Sequence, residues 1–120
     1  MKSQKIIQYE KPLVSVEEET PVAQGTEVLI KILYCGVCHT DVHINDGYFT
    51  LSGEKRMDTS SRRSLPFTPG HEIFGEVAGL GENAEDIQTG DRRAVFPWIG
   101  CGKCSTCIQG NENLCDKGSN

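Results

Sequence analysis

Cys101, Cys104, Cys107 and Cys115 follow the spacing C-x2-C-x2-C-x7-C, and no other feature of this 120-residue chain restricts its fold as tightly. Cysteines separated by two residues can turn both sulfurs toward one ion. The third continues the same wrap, and a seven-residue loop returns the fourth. Zn²⁺ favours four thiolates in a tetrahedron, and a closed shell of that kind is structural because no position is left for substrate. From Cys101 onward the chain is mostly cysteine, glycine and polar residues. Such a segment cannot build a hydrophobic core of its own, and a metal takes the core's place. Zinc is the preferred reading, two disulfides are the main alternative, and an iron–sulfur cluster is the third.

Six cysteines could instead staple a secreted domain through three disulfides. Four of them, however, fall within fifteen residues, and the opening MKSQKIIQYE has no apolar core of signal-peptide length. A reducing, cytoplasmic location is therefore expected, with clustered thiols serving as metal ligands. The net charge of −5 and pI near 5.1 argue against nucleic acid or an anionic membrane as the main partner. The longest apolar stretch, Val28 to Val37, contains Lys31 and is too short to span a bilayer. The length fits one domain with a modest core.

Thirteen glycines and five prolines favour short strands and turns over long helices. Strands are expected at Lys5–Glu10, Leu13–Val16, Glu27–Tyr34, Glu72–Leu80 and Arg92–Phe96, with turns at Glu17–Pro21 and Gly90–Asp91. In the third of these, Val28, Ile30, Ile32 and Tyr34 share one face while Leu29 and Leu33 occupy the other, so it reads as buried on both sides. Cys38–Asp46 suits a short helix. Residues 49–66 are polar and mixed in charge, which reads as a mobile surface loop. Gly75 and Gly79 mark bends or close approaches within a strand. The pattern is that of an all-β barrel or sandwich.

A second set of metal-ligating side chains lies in Cys35-Gly-Val-Cys38-His39-Thr40-Asp41-Val42-His43 and in Gly70-His71-Glu72. Each segment alone is a weak signal, since a lone buried histidine is usually a hydrogen-bonded core residue. Together they offer two ligands from different strand ends, Cys38 and His71, with Glu72 as a further candidate donor but no third permanent ligand. A catalytic zinc needs about three protein ligands and an open position. CGVCHTDVH, PGHEIFGEVAGLG, GDR and CGKCSTC with a later NLC occur in the order found in the N-terminal half of the zinc-containing medium-chain alcohol dehydrogenases, which this chain resembles from about residue 25 to Cys115.

The resemblance implies a mainly β, GroES-like β-barrel over residues 1–120, with short helices and a zinc-stapled four-cysteine lobe at about 98–116. It implies that Cys38 and His71 are catalytic zinc ligands, and that Glu72 can approach the metal from behind. Asp41 resembles the carboxylate that orients the His71 imidazole, Thr40 the hydroxyl that bonds the substrate oxygen, and His43 the far end of a proton relay. His39, together with His43, resembles the contact to the cofactor. Cys35 resembles no ligand and reads as a small residue buried on its strand. The implied activity is NAD(P)-dependent interconversion of a small alcohol and its aldehyde or ketone. Zinc and NAD or NADP are the implied cofactors, with a homo-oligomer as the full-length form.

Three departures qualify the likeness. Residues 49–66 lengthen the gap between Cys38 and His71, and Arg62-Arg63 within them reads as part of a solvated loop, with a substrate or partner contact as the alternative. Phe96-Pro97-Trp98 precedes the lobe, where Trp98 either walls the substrate pocket or packs barrel against lobe. No G-x-G-x-x-G occurs, and Gly79-Leu80-Gly81 follows a strand without the helix that motif needs. A Rossmann cofactor domain is thus expected to be absent from this chain, which reads as a truncated form inactive alone. The rival readings are a stand-alone zinc-binding or interaction module and a GroES-like co-chaperonin.

Overall fold

The structure is a computed structural model that describes residues 1–118; Ser119 and Asn120, the end of the expected domain, lie outside the described residues. Seven strands and two short helices follow in order: β1 (Lys2–Lys5), β2 (Val14–Glu17), β3 (Val28–Gly36), α1 (His39–Asp46), β4 (Tyr48–Thr50), β5 (Arg56–Asp58), β6 (Glu72–Leu80), β7 (Arg92–Ala94) and α2 (Ser105–Ile108). The strands form three antiparallel sheets, β1-β2, β3-β6-β7 and β4-β5. The mainly β reading with short helices describes this architecture. Among the described residues no helix is long and apolar enough to cross a membrane.

The β3–β6 pair is the spine. Its register runs from Val28 opposite Leu80 to Gly36 opposite Glu72, with irregularities after Leu29 and Ile32. Gly75 makes the close approach possible. A Cβ there would lie 2.3 Å from Ile30 Cγ2 and 2.6 Å from the Lys31 carbonyl oxygen, so any side chain would displace backbone. The N-terminal segment is tied to the stretch preceding β6 through a two-bond bridge between Ile6 and Phe67, with N···O distances of 2.8 and 3.0 Å. Ile6 and Val77 are the fully buried side chains among the described residues, and Ile44 joins them in a small core.

Four expectations are corrected. First, β3 is not buried on both sides: Ile32 and Tyr34 are 57% and 74% exposed. Alternating runs on both faces imply two covering layers, but only β6 pairs with β3, and the sheet is three strands wide. The radius of gyration of 16.4 Å agrees, exceeding the ~14 Å of a close-packed chain of this length. Second, Cys35 is exposed rather than buried, because it lies on that uncovered strand. Third, residues 49–66 are not a plain loop; they hold most of the β4–β5 hairpin, which pairs Tyr48 with Asp58 and Thr50 with Arg56. Arg56 lies over the Tyr48 ring at 4.1 Å, a contact that charge mixture in the sequence does not reveal. Fourth, the first strand lies at Lys2–Lys5 rather than Lys5–Glu10; Lys2 pairs with Glu17, and Lys5 bonds Glu18.

Candidate metal centres

The four-cysteine lobe is shaped by backbone. Gly100 stands where a Cβ would meet Cys107 Sγ at 2.7 Å, and Gly102 and Gly110 take φ of +69° and +80°. These residues let the chain coil around the sulfurs. The sulfurs are not paired as disulfides. Cys104 Sγ is 3.5 Å from Cys107 Sγ and 3.9 Å from Cys115 Sγ, and Cys101 Sγ is 4.0 Å from Cys107 Sγ. A tetrahedron with Zn–S bonds of about 2.3 Å has edges of about 3.8 Å, so the four thiols fit zinc as they stand.

Backbone N–H groups point into the cluster: Cys101 and Lys117 donate to Cys115 Sγ, each at 3.4 Å, and Cys107 donates to Cys104 Sγ at 3.5 Å. The amides of Lys103 and Cys104 hold the Cys101 thiol down to about 6. The amide of Cys107 lowers Cys104 in the same way. Burial instead pushes Cys107 up to about 12. The lobe thus has thiols ready to ionise and one that keeps its proton until a cation arrives.

The second centre is assembled across the β3–β6 pair. Because Gly36 opposes Glu72, the end of β3 lies beside the start of β6. Cys38, the cap of α1, comes within ligand reach of His71 and Glu72, with one donor atom from each residue lying within 4.8 Å of the others. A thiolate, an imidazole and a carboxylate form a donor set that suits zinc. The amide and hydroxyl of Thr40 hold the Cys38 thiol below its ordinary value. Burial pulls the His71 imidazole down, but the Cys38 thiol and the Asp41 carboxylate outweigh it and leave the ring raised.

Asp41 ties the ligand-bearing segments together. Its Oδ2 accepts the Cys38 N–H at 3.0 Å, and its Oδ1 accepts the Gly70 N–H at 3.0 Å. The same Oδ1 lies 3.2 Å from His71 Nδ1, leaving Nε2 for a metal. Thr40 Oγ1 lies 3.6 Å from Cys38 Sγ. Thr40, Asp41 and His71 line a cavity of about 410 Å³ whose other walls include Ile44, Ile73, Phe96 and Trp98. His43 is three residues along α1 from Thr40, on the same helix face. Its ring stacks between His39, at 4.7 Å, and Phe49, at 4.6 Å, and its Nδ1 is buried without a partner. His39 is exposed on the first turn of α1.

Cys38, His71 and Glu72 are brought together at one centre and Cys101, Cys104, Cys107 and Cys115 at the other, and Trp98 stands on the cavity wall. The sequence reading missed Ile44, Phe67 and Ile73 on that wall, and it placed Arg63 in solvent. Arg63 is in fact half-buried and lines the cavity, where it lies against Phe67. The one signal available was the apolar Leu65-Pro66-Phe67 that follows it.

The profile of the alcohol dehydrogenase GroES-like domain matches residues 24–120. The NAD-dependent alcohol dehydrogenase of Sulfurisphaera tokodaii is 40% identical over 116 residues, which cover 97% of this chain and 33% of that protein. The crystal structure of the alcohol dehydrogenase from the archaeon Aeropyrum pernix superposes with a TM-score of 0.82 at 28% identity, over 99% of this chain and 33% of that one. The cobalt- and zinc-bound thermostable alcohol dehydrogenase of Pyrobaculum aerophilum gives a TM-score of 0.80 at 28% identity, over 98% and 32%. The chain thus spans about a third of the length of the curated relatives it matches.

Proposed function

Since the chain belongs to the alcohol dehydrogenase GroES-like domain family, we propose that it is the zinc-binding, substrate-side unit of an enzyme interconverting a small alcohol and its carbonyl compound. The observation that carries this reading is the convergence of Cys38, His71 and Glu72 within 4.8 Å beside a cavity lined by Thr40. Zinc, when bound there, supplies a Lewis acid that makes an alcohol easier to deprotonate, and a nicotinamide supplies the hydride acceptor. Cys38 and His71 hold the metal, and Glu72 stands as a third, displaceable donor. Asp41 fixes the tautomer and orientation of His71. Thr40 orients the substrate hydroxyl, and His43 is the group one helical turn away that passes the proton outward. His39, on the exposed side of the same helix, is assigned to the pyrophosphate of the dinucleotide.

The lobe of Cys101, Cys104, Cys107 and Cys115 is assigned a structural zinc, in a single domain comprising residues 1–120. A cytoplasmic location, motivated by the metal-ligand spacing of the clustered cysteines, belongs to the same reading, as does a homo-oligomeric full-length form. A stand-alone zinc-binding module would need neither Thr40 nor an apolar cavity at the second centre. The test is cobalt substitution. Two equivalents of Co²⁺ should bind, with distinct thiolate charge-transfer bands, and Cys38→Ser should remove one set while leaving the four-thiolate set intact. A Cys38→Ser protein that still binds two equivalents with unchanged bands would refute the second centre.

A further inference from the structure

The cavity beside the second centre carries a charge that the proposed chemistry does not use. Arg63 follows the β4–β5 hairpin, and its guanidinium carbon sits 5.4 Å from the centroid of the Phe67 ring. Both residues line the cavity shared by Thr40 and His71. No carboxylate among the described residues lies within ion-pair distance of Arg63. The one acid on the cavity wall, Asp41, is already engaged by Cys38, Gly70 and His71. Its neighbour Arg62 is exposed and absent from the wall.

Arg63 is thus a half-buried residue whose guanidinium has a ring contact and no counter-charge among the described residues. Its planar fork of N–H donors matches a carboxylate in two parallel hydrogen bonds, strengthened where apolar walls exclude water. The remaining walls, including Ile73, Phe96 and Trp98, suit a hydrocarbon body. We propose that Arg63 determines specificity for alcohols that carry a carboxylate across a short apolar spacer, namely hydroxy acids and their oxo-acid counterparts. The inference rests on the reading of this cavity as the alcohol site. It narrows that reading from any small alcohol to those able to answer a cation on the cavity wall.

Trp98 is the only tryptophan of the chain and lines the same cavity, so its emission reports occupancy. The zinc-loaded 120-residue chain is titrated with ω-hydroxyhexanoate and with hexanediol, which differ only in the distal group. The same titrations are run on Arg63→Gln, Arg63→Lys and Arg62→Gln. The wild type should bind the hydroxy acid roughly ten-fold more tightly than the diol, as a charge-assisted pair allows. Arg63→Gln should abolish that preference, Arg63→Lys should weaken it, and Arg62→Gln should keep it. If the diol binds but the acid binds no better, or if both Arg63 variants retain the full preference, Arg63 is not the determinant and the alcohol site still stands. If neither ligand binds to the wild type, by emission or by calorimetry, the alcohol-site reading falls and takes this inference with it.

Discussion

Replacing Asp41 by Ala should separate the second metal centre from the first. The carboxylate accepts two backbone N–H groups, from Cys38 and Gly70, and faces His71 Nδ1 at 3.2 Å, with its side chain only 12% exposed. Each such bond contributes about 0.5–1.5 kcal/mol net, and three together about 2–4 kcal/mol, since a charged acceptor lies toward the upper end. That loss is a large fraction of a typical domain stability of about 5–15 kcal/mol, so a lower melting temperature is expected without wholesale unfolding. The sharper consequence concerns metal. With Asp41 gone, neither the start of α1 nor the Gly70-His71 turn is held, and the His71 ring is free to rotate. Loss of such an orienting carboxylate typically weakens metal affinity about 10- to 100-fold. Competition against a chromophoric chelator, with both sites followed as cobalt bands, measures each affinity. The four-cysteine site shares no hydrogen bond with Asp41 and should be unchanged. Second-site affinity within two-fold of wild type, in a protein whose melting temperature had fallen, would refute the claim that Asp41 positions the ligands.

Three further outcomes follow from the geometry. Gly75→Ala places a methyl 2.3 Å from Ile30 Cγ2 and 2.6 Å from the Lys31 carbonyl; it should destabilise the β3–β6 pair by about 1–3 kcal/mol in denaturant titration, and a wild-type midpoint would contradict the close approach. Zinc and protons compete for thiolates, and Cys101, held down to about 6 by the Lys103 amide, takes up its proton only below that value. A plot of log affinity against pH should therefore steepen by about one proton as pH falls through about 6, whereas a constant slope there would remove the assignment. Trypsin should cut first at Lys55 or Arg62, exposed at the hairpin turn and beyond it, while Arg63 is shielded against Phe67; mass spectrometry showing first cleavage at Lys103 or Arg92 would count against this.

What could be read in advance depended on how locally each feature is determined. The cysteine lobe is written into consecutive residues, since its spacing and glycines suffice to bring four sulfurs together. The helix at Cys38–Asp46 was legible for the same reason: Asp41 accepts the Cys38 N–H, and Gly47 ends the helix at a φ of +80°. The partnership of Cys38 with His71 could be listed as ingredients but not as a distance, because it depends on the register that sets Gly36 opposite Glu72. Arg63 was misread for a related reason. A basic pair in a polar run looks solvated unless it is known that the hairpin turns the second arginine inward while leaving the first outside. The exposure of Ile32 and Tyr34 is the mirror case, since apolar alternation specifies what a strand can bury and not what is present to cover it.

This contrast orders the two centres physically. Closing the cysteine lobe joins groups within fifteen residues, so little loop entropy opposes it, and a metal can organise that segment before the rest of the chain is in place. The second centre joins strand ends separated by α1 and the whole hairpin, so its ligands meet only when β3 and β6 have paired. Its donors are fewer and one of them, Glu72, sits on an exposed residue, so its affinity should lie below that of the closed four-thiolate site. The weaker centre therefore reports on the integrity of the spine, through Gly75 and Asp41, whereas the stronger one reports on little beyond its own coil. A substitution that loosens the spine should release the second metal while the first stays bound, which ties the chemistry of the cavity to the close approach of two backbones at a glycine.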